Sequence, residues 1–302
     1  MPLETHYTSY DDWAWLYNQS EAQLALQGLL PLLEKLLLPS LPEHGQILDL
    51  CCGTGQVAQQ LTLKGYQVTG VDSSEKMLHY ARENISQGTF ILEDVRSFKS
   101  SPTFDAAICT DSSLNHMMSL EELKQVFCNV YAALKEKGLF LFDLGLENRY
   151  RNITVSDGEL QEKYAWIVGE TYNPEDKTGT FTITVFQPTS QKSDPKIAIA
   201  ATLIQRLKCL VYNRALRQLQ PSILLQLINK DWKPSAIKFS VKPYTIAEVQ
   251  AALTEVGFTQ VGIYDFRGKV TAPTNTQYAY FMARKPGDGL WQSRIDSLIP
   301  HN

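Results

Sequence analysis

The sequence predicts an α/β fold: a doubly wound, mostly parallel seven-stranded sheet with an antiparallel terminal strand and an inserted antiparallel β cap. Three observations lead there. Apolar runs of strand length alternate with helical patterns between residues 46 and 144, and such alternation builds a parallel sheet with helices on both faces. The run Ile47–Ala58, ILDLCCGTGQVA, reads as a strand, a tight glycine turn and the start of a helix. The alternation stops near residue 150 and resumes near 243 with one helix and two strands. A core over 1–149 and 243–288 with an insertion over 150–242 follows from that break.

In chain order, residues 8–38 read as two helices beside the core, the first crowded by Tyr10, Trp13, Trp15 and Tyr17. The Leu-rich stretch 24–41 contains Pro31, Glu34, Lys35 and Pro39, which marks a buried helix and not a membrane span. Strand 46–51 leads to helix 55–63, strand 66–71 to helix 74–83, and strand 89–93 to a short turn. Strand 104–109 precedes helix 119–135, and Gly138 opens strand 139–144. Thr245-Ile-Ala-Glu248 is a capping box for helix 246–256, and Gly257 ends it. Phe258–Phe266 and Gln277–Arg284 are the last two strands, antiparallel to each other.

The insertion reads differently. Glu162–Thr171 and Thr180–Phe186 form a hairpin, because Thr180, Thr182 and Thr184 alternate with Phe181, Ile183 and Val185. Ala236–Val241 supplies a third strand. Between them lies a basic segment, 196–235, helical in its first half, where Leu203, Leu207, Leu210 and Val211 share one face. Its expected role is to pack on the cap with a solvated face. A surface or partner contact through 203–217 and a basic rim for an anionic substrate are the alternatives.

The chemistry begins at Asp49. A glycine turn leading into a helix offers free N–H groups to a negative ligand, with Gly53 and Gly55 for the tight backbone and Cys51 as a small residue at the bend. Gly53-Thr-Gly55-Gln-Val-Ala58 also fits the dinucleotide pattern, with Asp72 near the distance of a ribose acid. A pyrophosphate there would lie beside the carboxylate of Asp49 with nothing to compensate it. An amino-acid zwitterion gives the helix its carboxylate and Asp49 its ammonium. The ligand that joins such a tail to adenosine is S-adenosylmethionine.

On Asp49-Leu-Cys-Cys-Gly-Thr-Gly55, Val71-Asp72 and Glu93-Asp94-Val95, spaced at the ends of three successive strands, the chain resembles the class I S-adenosylmethionine-dependent methyltransferases, with a Rossmann-like sheet. The resemblance implies that the glycine loop holds the methionine moiety and that Asp49 orients its amino group. It implies that Asp72, with Ser73 beside it, binds the ribose hydroxyls. Asp94 would accept from the adenine amino group, with Val95 backbone beside the ring and Met77 flanking it. Tyr10 and Tyr17 match aromatic residues of an N-terminal lid, and the insertion resembles the β-rich cap of small-molecule methyltransferases, including sugar N-methyltransferases.

The turn after the fourth strand, Thr110-Asp-Ser-Ser-Leu-Asn-His116, is expected to face the acceptor. His116, with an ordinary pKa of about 6.5, is the candidate general base and Tyr17 the second catalytic candidate. Asp111, Ser112 and Asn115 are positioning candidates. No Asn-Pro-Pro-Tyr-like tetrad of nucleic-acid amino methyltransferases is present, and a net charge of −4 gives no general attraction to nucleic acid. The expected partner is a small-molecule methyl acceptor, and the protein is expected to be a monomer or homodimer. Cys51-Cys52 has no second Cys pair or His at zinc spacing, so no metal is expected. Five cysteines without disulfide-like spacing, and a start lacking signal-peptide features, predict a cytoplasmic protein. Two other readings stay open here: an NAD(P)-dependent oxidoreductase, and an inactive cofactor-binding regulatory module.

Overall fold

A computed structural model describes residues 10–151, 157–161, 163–188, 232–270 and 276–287. The chain divides into two compact units, Met1–Arg149 with Lys242–Asn302, and Tyr150–Val241.

The first unit opens with a helical turn, α1 (Ala14–Leu16), a π turn (Tyr17–Glu21) and α2 (Ala22–Leu36). Instead of two separate helices, one helical run changes its winding at Tyr17. Such π turns are frequent at functional sites. Then follow β1 (Gln46–Leu50), α3 (Gln56–Leu63), β2 (Gln67–Asp72), α4 (Glu75–Asn84), β3 (Thr89–Leu92) and β4 (Phe104–Cys109). Next come α5 (Leu120–Ala133), β5 (Leu134–Gly145) and a short α6 (Glu147–Tyr150). β5 starts five residues earlier than its apolar run suggests. Its register against β4 shifts between Phe104 and Ala106, and Lys137 at φ 62° makes the bulged entry.

With β10 (Thr259–Tyr264) and β11 (Tyr278–Arg284), the sheet order is β10-β11-β5-β4-β1-β2-β3. β1 runs parallel to both β2 and β4, and β4 parallel to β5. β11 is antiparallel to β5 and to β10. Side chains alternate between two cores. Leu48, Leu50, Ala107, Phe140, Phe142 and Phe281 face α5 and the last helix, α7 (Ile246–Val256). Ile47, Ala106, Ile108, Leu139 and Leu141 face Leu29, Leu32 and Leu33 of α2. Because strand side chains alternate, Asp49 and Asp143 lie on the second of these faces.

The capping box at α7 is present in full: Thr245 accepts from Glu248 N–H, Glu248 returns the bond, and Gly257 at φ 113° ends the helix. Thr245→Ala should cost about 1 kcal/mol and lower the melting temperature by about 2 °C, as read by calorimetry.

The second unit contains an antiparallel sheet in the order β6-β7-β8-β9. Its strands are Asp157–Leu160, Ala165–Asn173, Thr178–Pro188 and Trp232–Val241. The hairpin alternates as its sequence indicates, with Ile183 and Val185 buried. Two differences stand out. β6 is an additional strand, too short for an alternation to show. The end of the segment read as basic and helical is strand: Trp232–Ser235 pairs with Val185–Pro188, and Trp232 is buried. Residues 196–231, including 203–217, lie outside the described residues. No helix among the described residues is long and apolar enough to cross a membrane.

Candidate active site

The parallel strands all end on one side, and the polar residues singled out in the sequence collect there, at a crevice typical of open α/β sheets. β1 carries Asp49 into the core. This side chain is 2% exposed, and its Oδ2 has no hydrogen-bond partner. Burial, with the nearby Asp72 adding to it, pushes its pKa up to about 8. A carboxyl group in that setting is poised to receive a cation.

After β1 the chain bends through left-handed residues, Cys51 at φ 54°, Gly53 at 54° and Gly55 at 82°. Gly55 is required twice over, because a Cβ there would also come within 3.1 Å of the Ala81 Cβ on α4. Asp72, at the end of β2, clamps this bend: its carboxylate accepts from Gly53 N–H and Ser74 N–H, each at 2.9 Å. Burial raises Asp72 to about 6 against those backbone donors. Each of its oxygens keeps a lone pair for a further donor. Ser73 is half-buried beside it. Ser74 caps α4 by accepting from Met77 N–H at 3.1 Å, and Met77 is buried.

The third loop is braced from within. Arg96 grips Asp94 with its guanidinium at 2.6 and 3.0 Å and reaches Glu122 at 2.8 Å. Glu122 accepts in turn from Met118 N–H at 2.7 Å. Asn129 donates to the carbonyls of Val95 and Arg96, both at 2.9 Å. Asp94 is therefore already engaged by a fork-shaped donor, and Val95 is buried.

The turn after β4 is strained, with Asp111 at φ 61° and Ser112 at 58°. Asp143 holds it: Ser112 donates through N–H at 2.9 Å and through Oγ at 2.8 Å to Asp143 Oδ2. Asn115 is fully buried, accepts from Gly145 N–H and donates to the carbonyls of Gly145 and Lys242. Its side chain stitches the loop to β5 and is not presented to a ligand. His116 lies half-buried on the 3₁₀ turn Ser113–His116.

The N-terminal segment bonds to the turns after β2 and β4 and to the ends of α3 and α4. Tyr10 OH meets His116 Nε2 at 2.7 Å. Asp11 accepts from Ser74 Oγ and Lys76 N–H. Tyr17 OH donates to Asp111 at 3.2 Å, and its ring lies 3.3 Å from where a Gly53 Cβ would stand. Asn18 accepts from Gln56 and Asn84, both at 2.8 Å. The structure thus brings Asp49, Cys51, Gly53, Gly55, Asp72, Ser73, Tyr10, Tyr17 and His116 to one rim, with Met77 on the adjoining α4 and Asp94 and Val95 on the loop after β3. Asp11, Asn18, Arg96 and Asp143 were not singled out in the sequence. Asp143 had a signal there, a lone acid in the apolar run Leu139–Leu144.

A crevice with a buried, unpartnered carboxylate at the end of β1, a left-handed glycine bend and a second acid after β2 suits the zwitterionic tail and ribose of S-adenosylmethionine. Together with the sheet order, it resembles the cofactor site of the class I S-adenosylmethionine-dependent methyltransferases. Residues 47–138 match the methyltransferase domain family. Among curated relatives, the putative methyltransferase YqeM of Bacillus subtilis (strain 168) is 35% identical over 135 residues, covering 42% of this chain and 55% of the relative. The glycine/sarcosine N-methyltransferase of Aphanothece halophytica is 34% identical over 114 residues, 35% of this chain and 43% of the relative. The chain spans about half the length of these relatives. A solved S-adenosylmethionine-dependent methyltransferase from Clostridium acetobutylicum ATCC 824 superposes with a TM-score of 0.66 at 16% identity, over 92% of this chain and 99% of that one.

Proposed function

We propose that the protein transfers a methyl group to a small-molecule acceptor held over the ends of β4 and β5. The observation that carries this reading is Asp49, a buried acid with an unpartnered oxygen beside a glycine bend. Bound there, S-adenosylmethionine supplies a methyl group already activated by a positive sulfur. The chain's own residues bind and orient. Asp49 takes the ammonium of the methionine tail. The bend through Cys51, Gly53 and Gly55 presents backbone to its carboxylate. Asp72 and Ser73 receive the ribose hydroxyls. Met77, Val95 and the Asp94–Arg96 pair border the adenine.

The N-terminal segment serves as a lid. Tyr10 and Tyr17 hold it against His116 and Asp111, which keeps water from the reacting atoms. The turn that carries His116, its ring fixed by Tyr10, is where the acceptor's proton is taken up. Most of the rate comes from holding acceptor and methyl close and in line.

A thermal-shift comparison of S-adenosylhomocysteine, NAD and NADP tests this. S-adenosylhomocysteine at about 100 times its Kd should stabilise the protein by about 2.7 kcal/mol, with no shift from either nicotinamide nucleotide. A shift from NAD or NADP alone would establish the oxidoreductase reading instead.

A further inference from the structure

The methyl-transfer reading gives Asp143 no work beyond bracing a turn, yet Asp143 is built like Asp49. It is 3% exposed, lies near the end of a central parallel strand, and keeps one carboxylate oxygen, Oδ1, buried without a partner. Both acids lie on the same face of the sheet. β4 stands between their strands, with Asp49 opposite Ile108 and Ile108 opposite Leu141. Asp143 is two residues further along β5. Two strand spacings across and two residues along put the two Cα positions roughly 12 Å apart.

A second carboxylate adjoins Asp143. Asp111, on the turn that Asp143 holds, is open to solvent on one side and accepts from Tyr17. Burial raises the pKa of Asp143 to about 7, and the charge of Asp111 adds to the rise, while Arg149 opposes it at both acids. Tyr280 is the cross-strand partner of Asp143 on β11. Burial, then Asp143 and Asp111, hold its hydroxyl protonated. Among the described residues, Cys51, Cys109, Asp49 and Tyr278 are further titratable neighbours of this group. Among the described residues, these two carboxylates share one guanidinium, a negative surplus that a single cation would balance.

We infer that Asp143 and Asp111 form an acceptor subsite that selects a cationic amine. The inference rests on the methyl-transfer reading and names the class of its substrate. The acceptor enters as an ammonium and gives one proton to the carboxylate pair. Its freed nitrogen lone pair forms the new N–C bond to the methyl group as the C–S bond breaks, with that electron pair going to sulfur. The product is the N-methylated ammonium with S-adenosylhomocysteine. The borrowed proton leaves to solvent from the open side of Asp111.

The test uses the full chain saturated with S-adenosylhomocysteine, with methylammonium as probe and methanol as its neutral match. A ligand of two heavy atoms binds at best with a Kd of a few millimolar, so titration runs to about 100 mM. Methylammonium should raise the melting temperature with saturation, and methanol should not. Asp143→Asn should weaken the methylammonium response at least about tenfold, the value of a charge-assisted hydrogen bond. Affinity for S-adenosylhomocysteine should stay within about threefold, as for sites that share no partner. If that variant fails to fold, Asp111→Asn, on the open side, should show the same loss. No methylammonium effect beyond matched sodium chloride, or wild-type response in a folded variant, overturns the subsite. Failure of S-adenosylhomocysteine to bind the wild type overturns the methyl-transfer reading itself.

Discussion

Asp49→Asn should weaken S-adenosylhomocysteine binding at least ~100-fold in calorimetry, because an ammonium left buried without its carboxylate costs several kcal/mol. The same variant should remove a pH-dependent weakness of the free protein. Burial raises the folded-state pKa of Asp49 from 3.8 to about 8. Between those values the folded state holds a proton that the unfolded state has released, so stability falls as pH rises through the window. By pH 7 the accumulated cost reaches up to about 4 kcal/mol. Melting curves of the free wild type should therefore decline from pH 5 to pH 8, and those of Asp49→Asn should be flatter. Ligand binding near pH 7 should release a proton from Asp49, visible as a binding enthalpy that changes with the ionisation enthalpy of the buffer. Equal pH dependence in wild type and variant would remove Asp49 from this role.

Asp72→Ala is expected to behave in the opposite sense where stability is concerned. Its carboxylate clamps the glycine bend by accepting from Gly53 and Ser74, and removing it orphans two partly buried N–H groups. Each costs about 1–3 kcal/mol. The melting temperature should drop by several degrees, and affinity for S-adenosylhomocysteine should fall at least about tenfold from the loss of a charge-assisted pair. Loss of affinity without loss of stability would mean that the bend keeps its shape unaided, and that Asp72 serves the ligand alone.

Much of the core was legible because burial writes a simple pattern. Strands enclosed on both faces are short apolar runs, and β1, β4 and β5 each carry one. The glycine bend was legible because few residues other than Gly tolerate φ near 54° or 82°. Asp49 stood out as a charge inside such a run. By the same logic Asp143 in Leu139–Leu144 carried an equal signal, and only its place beside Asp49 on one sheet face reveals its significance. Other features were hidden for physical reasons. β6 is four residues long, too short for its period to show. Trp232–Ser235 mixes a buried Trp with Lys233 and Pro234, so its strand pairing comes from β8 and not from its own pattern. The lid contacts of Asp11 and Asn18 join residues 38 to 66 positions apart in sequence, and no local rule predicts them. The brace of Asp94 by Arg96 is local, yet Arg96 two residues after an acid reads as an ordinary exposed turn until Glu122 and Asn129 close around it.

Cys51, Asp111 and Ser112 show how the site is held. All three are non-glycine residues in left-handed conformations, and such strain persists where the surroundings over-determine it. Asp72 fixes the first bend and Asp143 the second. Both acids therefore brace a loop, Asp72 with both oxygens and Asp143 with Oδ2, which leaves Asp143 Oδ1 without a partner. That shared design is why the two loops on either side of the reacting centre keep their shape before anything binds.

The most direct measurement is a crystal structure of the full chain with S-adenosylhomocysteine. The amino nitrogen of its amino-acid end should lie 2.7–3.2 Å, ordinary hydrogen-bond distance, from the Asp49 carboxylate. An amino-acid end lodged elsewhere, with no cation against Asp49, would contradict the account.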